Sequence, residues 1–513
     1  MDQLLTSLVY GGALSLLAVA LVKGVKQASR PPTPPGPKRY PLIGNILDLP
    51  SKRGWVHYQA MAEKYGDIIY LEVFGQPILI LSSMKRVHDL FEKRSSNYSD
   101  RPQPTMLCEL MNYRHLLSVM PYGDEWKLQR KVFHQHFQPN NPSLWHPIIV
   151  KQTRNYLKGL SRSPEEWATH AKQLFSAIIV EITYGVETES PEDPFISTMT
   201  EVANGFGEAC LPGRFLVDTI PILKYVPSWF PGAGFQKFAA YYKAMEERSR
   251  YEPFEHVLET MRNGASSPCM VTSMVEDLPE EGDPSRAKAE DVARSVAAVT
   301  HGADTIPQTL GSALAFFVLV ALHPEVQRKA QQELDEVVGF GRVPDFSDRE
   351  RLVYTTAIAK EVSRYHQTMP MGFPHSTTHD DIYDGYFIPK GTIVMGNAWH
   401  IMHDPELFED PMSFKPERYI KNGRIDPTVL DPNDAAFGFG RRICPGRFVS
   451  GDSLFLMIAS TLAYFDVVPP TDETGRPTIK YEQSDRSMSE IEWQRSIVVK
   501  RGGGGGGGIS PVA

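Results

Sequence analysis

Hydrophobic and polar positions follow three patterns along this chain. Residues 3–22 carry no charge and are rich in Leu, Val and Ala. At helical rise such a run spans roughly 30 Å, about one bilayer core. Residues 70–81 place Ile, Val and Leu on either side of Gly75-Gln76-Pro77, which predicts a short hairpin. Helical patterning dominates from about residue 142 to 339, including a run over 289–300. His323-Pro324-Glu325-Val326 opens one such helix, with its proline in the first turn, and another begins near Tyr354. A second strand-rich patch covers 377–395, broken at Asp384-Gly385 and Pro389-Lys390-Gly391. No repeat or shift in composition cuts residues 38–500, so the pattern predicts one mainly α domain with small β-sheets.

The ends read differently. Asp2 precedes the apolar run and Lys23, Lys26 and Arg30 follow it, an arrangement that keeps the following chain cytosolic. No small-residue cleavage site closes the run, so residues 1–22 are expected to be a single-pass anchor. Residues 23–37, basic and then proline-rich, are expected to form a semi-rigid hinge. Residues 501–513, with seven consecutive glycines at 502–508, are expected to be a disordered tail.

The 513 residues, 42% hydrophobic and 22% charged, suffice for a large core. Lysine plus arginine (53) against aspartate plus glutamate (61) gives −8, which argues against nucleic acid as a partner. Cys108, Cys210, Cys269 and Cys444 stand far apart without a Cys-x-x-Cys pair. That spacing indicates neither a disulfide framework nor a zinc site and suits a reducing compartment. Asn97-Tyr98-Ser99 is a glycosylation sequon, which a cytosolic body would not present to the transferase.

The densest chemistry lies at Phe437-Gly438-Phe439-Gly440-Arg441-Arg442-Ile443-Cys444-Pro445-Gly446. Gly438, Gly440 and Gly446 permit sharp turns and close approach of the backbone to a flat ligand. Neighbouring amides and arginines favour a thiolate at Cys444, and Arg442 could pair with an anionic substituent. The spacing Phe-x-x-Gly-x-Arg-x-Cys-x-Gly resembles the haem-ligand loop of the cytochrome P450 family. The resemblance implies haem b as cofactor, with Cys444 as the axial iron ligand and Phe437, Gly438 and Gly446 shaping its loop. It also implies the family's fold, in which the haem lies between a long central helix and the cysteine loop.

Further motifs follow in the family's order. Glu361-Val362-Ser363-Arg364 sets two charges on one helix face. With Arg418 of Pro416-Glu417-Arg418, it resembles the buried Glu-Arg-Arg network behind the haem; Tyr419 stands where Phe is commoner. Trp126 and Arg130, one helical turn apart, resemble the pair that binds the haem propionates, and His375 and Arg442 match further contacts to them. His301-Gly302-Ala303-Asp304-Thr305-Ile306 resembles the Ala-Gly-x-Asp-Thr motif of the central helix, which makes Asp304 and Thr305 the expected proton-delivery pair. Gly302, unfavourable within a helix by roughly 1 kcal/mol, suggests close approach of a ligand. His301 replaces a small residue and could narrow the pocket or reach the substrate.

The resemblance implies a haem-thiolate monooxygenase of the membrane-anchored type, single-pass in the endoplasmic reticulum with its catalytic domain facing the cytosol. Its electrons would come from NADPH through a separate NADPH–haemoprotein reductase, with cytochrome b5 as a further donor. Lys127, Lys131, Arg441 and Arg447 could form the docking face. The chain looks most like fungal enzymes of secondary metabolism. The resemblance further implies a substrate pocket lined by residues 98–120, 211–235, 297–305 and 368–373. Met106, Leu107, Leu211, Phe215, Met369, Met371 and Phe373 would offer an apolar surface for a small metabolite. A haem-thiolate isomerase or dehydratase, and a non-enzymatic haem binder, are the alternatives; the retained Asp304–Thr305 pair argues against the first.

Overall fold

The computed structural model describes residues 30–484 except 51, 139–141, 191, 212, 306–307 and 340, with the backbone of 498–501; at 303–305 and 308 it describes backbone alone. Helices carry most of the body. They are α1 (Gly54–Tyr65), α2 (Asp124–His136), α3 (His146–Arg162), α4 (Trp167–Tyr184), α5 (Pro194–Ala209), α6 (Gly234–Arg262), α7 (Met270–Glu276) and α8 (Arg286–Thr305). Then come α9 (Gln308–Leu322), α10 (Pro324–Val337), α11 (Val353–Tyr365) and α12 (Arg447–Tyr464). The core collects on α4, α9 and α12, whose apolar residues surround positions such as Phe316, Phe317 and Phe455, each 0% exposed. Leu, Ala, Phe and Val fill the last ten positions of α9 without interruption, as a helix buried all round requires. Among the described residues no single helix is long and apolar enough to cross a membrane; residues 1–29, with the expected anchor, lie outside them.

One four-stranded sheet contributes directly to the site. Its order is β1 (Ile68–Val73), β2 (Gln76–Leu81), β6 (Ile393–Gly396), β3 (His375–Ser376). β1 and β2 are antiparallel with Val73 opposite Gln76, whereas β2 and β6 run parallel. The connecting turn is Phe74-Gly75, one position earlier than the glycine-proline signal suggests, and Pro77 lies inside β2 opposite Glu72. Both turn residues have positive φ, 48° and 81°, as a two-residue hairpin of matching twist demands. Antiparallel pairing of β3 with β6 sets His375 opposite Val394. The β4–β5 hairpin (Asp381–Tyr383, Tyr386–Ile388) turns at Asp384-Gly385. The proline-rich segment is docked on the body: the Pro32 carbonyl accepts from Phe387 N–H and the Pro35 carbonyl from Tyr70 N–H, each at 2.8 Å. Asn97 is engaged internally, its Oδ1 accepting the N–H groups of Thr378 and His379.

Candidate active site

The cysteine loop closes on itself before α12 begins. Cys444 N–H donates to the Phe437 carbonyl at 2.9 Å, and Gly446 is the residue immediately before α12. Gly440, at φ 58°, is required by packing, because a Cβ there would stand 2.2 Å from the Phe91 carbonyl oxygen. Gly438, at φ 79°, is required by conformation, and a Cβ built on it meets nothing within 4 Å, which leaves one side of the loop open. Burial pushes the Cys444 thiol up; the N–H groups of Gly446 and Arg447 and the charges of Arg130 and Arg447 act against that.

Around this loop the fold gathers cationic and donor groups that form no ion pair among the described residues. Arg442 is buried, and burial lowers it to about 10. It donates to the carbonyls of Ser99 (2.7 Å), Leu117 (3.2 Å) and Met120 (2.8 Å), and its guanidinium lies 4.5 Å from the Trp126 ring centroid. Trp126 Nε1 is a buried donor with no acceptor among the described residues. Arg130, one turn along α2, makes no hydrogen bond among the described residues and is lowered by burial. His375 Nδ1 meets the Tyr98 carbonyl at 2.7 Å, so this nitrogen carries the hydrogen and Nε2 is left for another partner. Burial, then Arg101 and Arg442, hold the His375 imidazole well below its usual range. A buried carboxylate-bearing ligand is what this set of groups fits, since uncompensated buried cations are costly.

Sequence reasoning missed Arg101. It is buried beside His375 and donates to the carbonyls of Ser118 (3.0 Å), Phe373 (2.8 Å) and Pro374 (2.7 Å). Nothing local marks it, because those acceptors arrive from distant segments.

Behind the loop, Glu361, Arg364 and Arg418 come together with side chains 0%, 0% and 8% exposed. Arg364 meets Glu361 through two parallel bonds of 2.8 and 2.9 Å, and Arg418 Nε approaches the same carboxylate at 3.1 Å. Lys415 N–H adds a fourth donor at 2.8 Å. The remaining guanidinium donors reach the carbonyls of Met402, Pro411, Glu409 and Ser413. Each charge is paired and hydrogen-bonded, as burial requires.

Asp304 and Thr305 fall on the last turn of α8, where the structure describes backbone alone. Just before them, a Cβ at Gly302 would meet only Met199 Sδ of α5, at an ordinary contact distance of 3.5 Å, so packing against the protein does not require this glycine. His301 precedes Gly302 on the same helix. It is 2% exposed and packs edge-on against Tyr184 of α4 at 5.4 Å, and burial lowers it to about 3. The expected pocket residues Met106, Leu107, Phe215 and Phe373 belong to one apolar cluster with Met199, Val202 and Phe206. Met371 packs elsewhere, under the sheet with Ile69 and Ile80. Leu211 is half-buried. Of the suggested docking residues, Lys127 pairs with Asp124, Arg441 bonds Tyr122 and Arg447 reaches the Cys444 carbonyl.

Comparison with known proteins decides the family. The cytochrome P450 family model matches residues 34–488. The chain belongs to the cytochrome P450 family. It is similar to the cytochrome P450 monooxygenase COX1 of Coprinopsis cinerea, 45% identical over 91% of this chain and 92% of the relative. It is also similar to COX2 of that fungus, 44% identical over 86% and 84%. The tryptamine 4-monooxygenase of Psilocybe cyanescens is 36% identical over 93% of each. These relatives are fungal monooxygenases, so this P450 is an oxidoreductase of that kind, mainly α with small sheets.

Proposed function

We propose that this P450 introduces one oxygen atom of O2 into a largely apolar small metabolite of fungal secondary metabolism, drawing electrons from NADPH through a separate reductase at the endoplasmic reticulum membrane. The carrying observation is the buried Trp126 Nε1, without an acceptor among the described residues, with Arg442 against its ring and Arg130 one turn along the helix, a set complementary to the carboxylates of haem. Cys444 would hold the iron, while Trp126, Arg130, His375 and Arg442 would hold the carboxylates, with Phe437, Gly438 and Gly446 shaping the loop. When bound, thiolate-ligated haem supplies the activation of O2 and the oxygen transfer. A carboxylate on His375 Nε2 would favour the doubly protonated ring, offsetting what burial and two arginines impose. Asp304 and Thr305, on the last turn of α8, would carry protons to the reacting position. Glu361, Arg364 and Arg418 would brace the cradle.

Apolar side chains support the substrate class: Met106, Met199, Phe206 and Phe373 meet in one cluster. A relative named for tryptamine supports a small metabolite. The uncharged run at 3–22 supports a membrane anchor, as do the exposed Leu42, Ile222, Tyr225 and Trp229. The test uses the full chain with a P450 reductase and a panel of apolar metabolites. Wild type should form a hydroxylated product only with NADPH and reductase. Thr305→Ala should keep its haem but divert reducing equivalents away from product; coupling equal to wild type would remove that role.

A further inference from the structure

The wall Thr105–Leu110, which carries Met106 and Leu107, is fastened at both ends by a segment far away in sequence. Asp218, in the short helix Leu216–Thr219, accepts from Met106 N–H at 2.8 Å across 112 positions of chain. Thr105 N–H also donates toward it. At the other end Lys224 donates to Glu109 at 2.6 Å. Val217, beside Asp218, is 1% exposed in the same cluster as Met106 and Leu107, whereas Leu216 and Ile222 are exposed at 68% and 72%. The segment thus has an inner face on the wall and an outer face in solvent.

Asp218 makes no ion pair among the described residues. Burial works against its charge, and the backbone donors of Thr105 and Met106 work for it. Apolar packing alone would hold the cluster together without a part-buried carboxylate, but it would not fix height or register, since dispersion contacts are non-directional. A short amide bond from Met106 to a carboxylate, with the neighbouring Thr105 N–H directed toward the same group, does fix them.

We propose that Asp218 is a positioning residue for oxidation: by holding the backbone of Thr105 and Met106 it sets where Met106 and Leu107 stand in the pocket wall, and so which apolar molecules fit and how fast they enter. This rests on the reading of that cluster as the substrate wall. Asp218→Ala removes both acceptors, and Asp218→Asn keeps one acceptor oxygen and loses the charge.

Two measurements on the haem-loaded full chain test it. In amide hydrogen exchange, Thr105 and Met106 should exchange at least tenfold faster in Asp218→Ala, with an intermediate effect in Asp218→Asn and no change across α9. In stopped-flow absorbance, an apolar ligand that shifts the spin state of wild type should bind at least fivefold more weakly to Asp218→Ala and associate faster, with partial rescue in Asp218→Asn. Unchanged exchange at Met106 overturns the clip. Faster exchange with unaltered binding overturns the positioning role. If apolar ligands fail to shift wild type while exchange responds, the substrate-wall reading falls and the clip stands alone as structure.

Discussion

In the cradle around Cys444, charged side chains are fixed by many short, directional bonds: Glu361 alone receives Arg364, Arg418 and Lys415 N–H. In the roof over Gly302, side chains meet through Met106, Met199, Val202, Phe206 and Phe373, and polar ties such as Asp218 to Met106 N–H are few. Each suits its task. A buried polar network tolerates one arrangement only, because any missing partner strands a charge in low dielectric. An apolar roof tolerates several, because area and volume matter more than direction. The cradle can therefore hold a prosthetic group in one pose, and the roof can be retuned among substrates at little structural cost.

The most severe test of that contrast is at Cys444. Cys444→Ala should abolish the red-shifted Soret band that thiolate haem shows when reduced under carbon monoxide. An intact thiolate spectrum would refute the assignment. Next in size is Glu361→Ala, which strands Arg364 and Arg418 and should cost about 3–5 kcal/mol, read by urea unfolding together with haem content. Glu361→Gln should cost less, since the amide oxygen still accepts. In the roof, Met106→Ala should cost about 3 kcal/mol of stability, as for a fully buried methionine. It should leave the carbon monoxide spectrum unchanged. Loss of the thiolate spectrum there would mean that roof and cradle are not separable.

Acid should expose the contrast through histidines instead of carboxylates. Burial lowers His301 and His403 to about 3. Between that value and the ordinary 6.5, the unfolded chain binds the proton and the folded chain does not. Stability is then complete above about pH 6.5 and falls as pH drops toward 3, by about 2 kcal/mol per histidine at pH 5. His301→Gln should flatten this dependence in denaturant midpoints measured from pH 7 to 5. An unchanged slope would show that His301 takes up its proton in the folded protein.

What the chain disclosed about itself follows the same division. The cysteine loop and Glu361-x-x-Arg364 were legible because their geometry is local: glycines at fixed offsets, or two charges one helical turn apart. Arg101 and Asp218 were not, because their partners are backbone groups brought from 272 and 112 residues away. A backbone carbonyl has no letter in the sequence. His301 was legible as a departure, but its packing against Tyr184 of α4 was not, because that ring arrives from 117 residues away. The first hairpin turn was misplaced because Phe74 adopts a left-handed conformation that its side chain gives no reason to expect.

The smallest predicted effect concerns a loose end behind the cradle that no carboxylate-bearing ligand would tie. Tyr419 follows Arg418 in the chain, is 1% exposed, and packs with Leu90, Phe408 and Phe439. Its hydroxyl has no hydrogen-bond partner among the described residues. A buried hydroxyl without a partner loses its bonds to water and gains nothing in exchange, whereas phenylalanine keeps the ring and omits that cost. Tyr419→Phe should therefore stabilise the protein by about 1 kcal/mol, visible as a rise of about 1–2 °C in Tm with haem content unchanged. A fall in Tm would show that the hydroxyl is satisfied in solution and that the cradle, unlike the roof, has no slack left to remove.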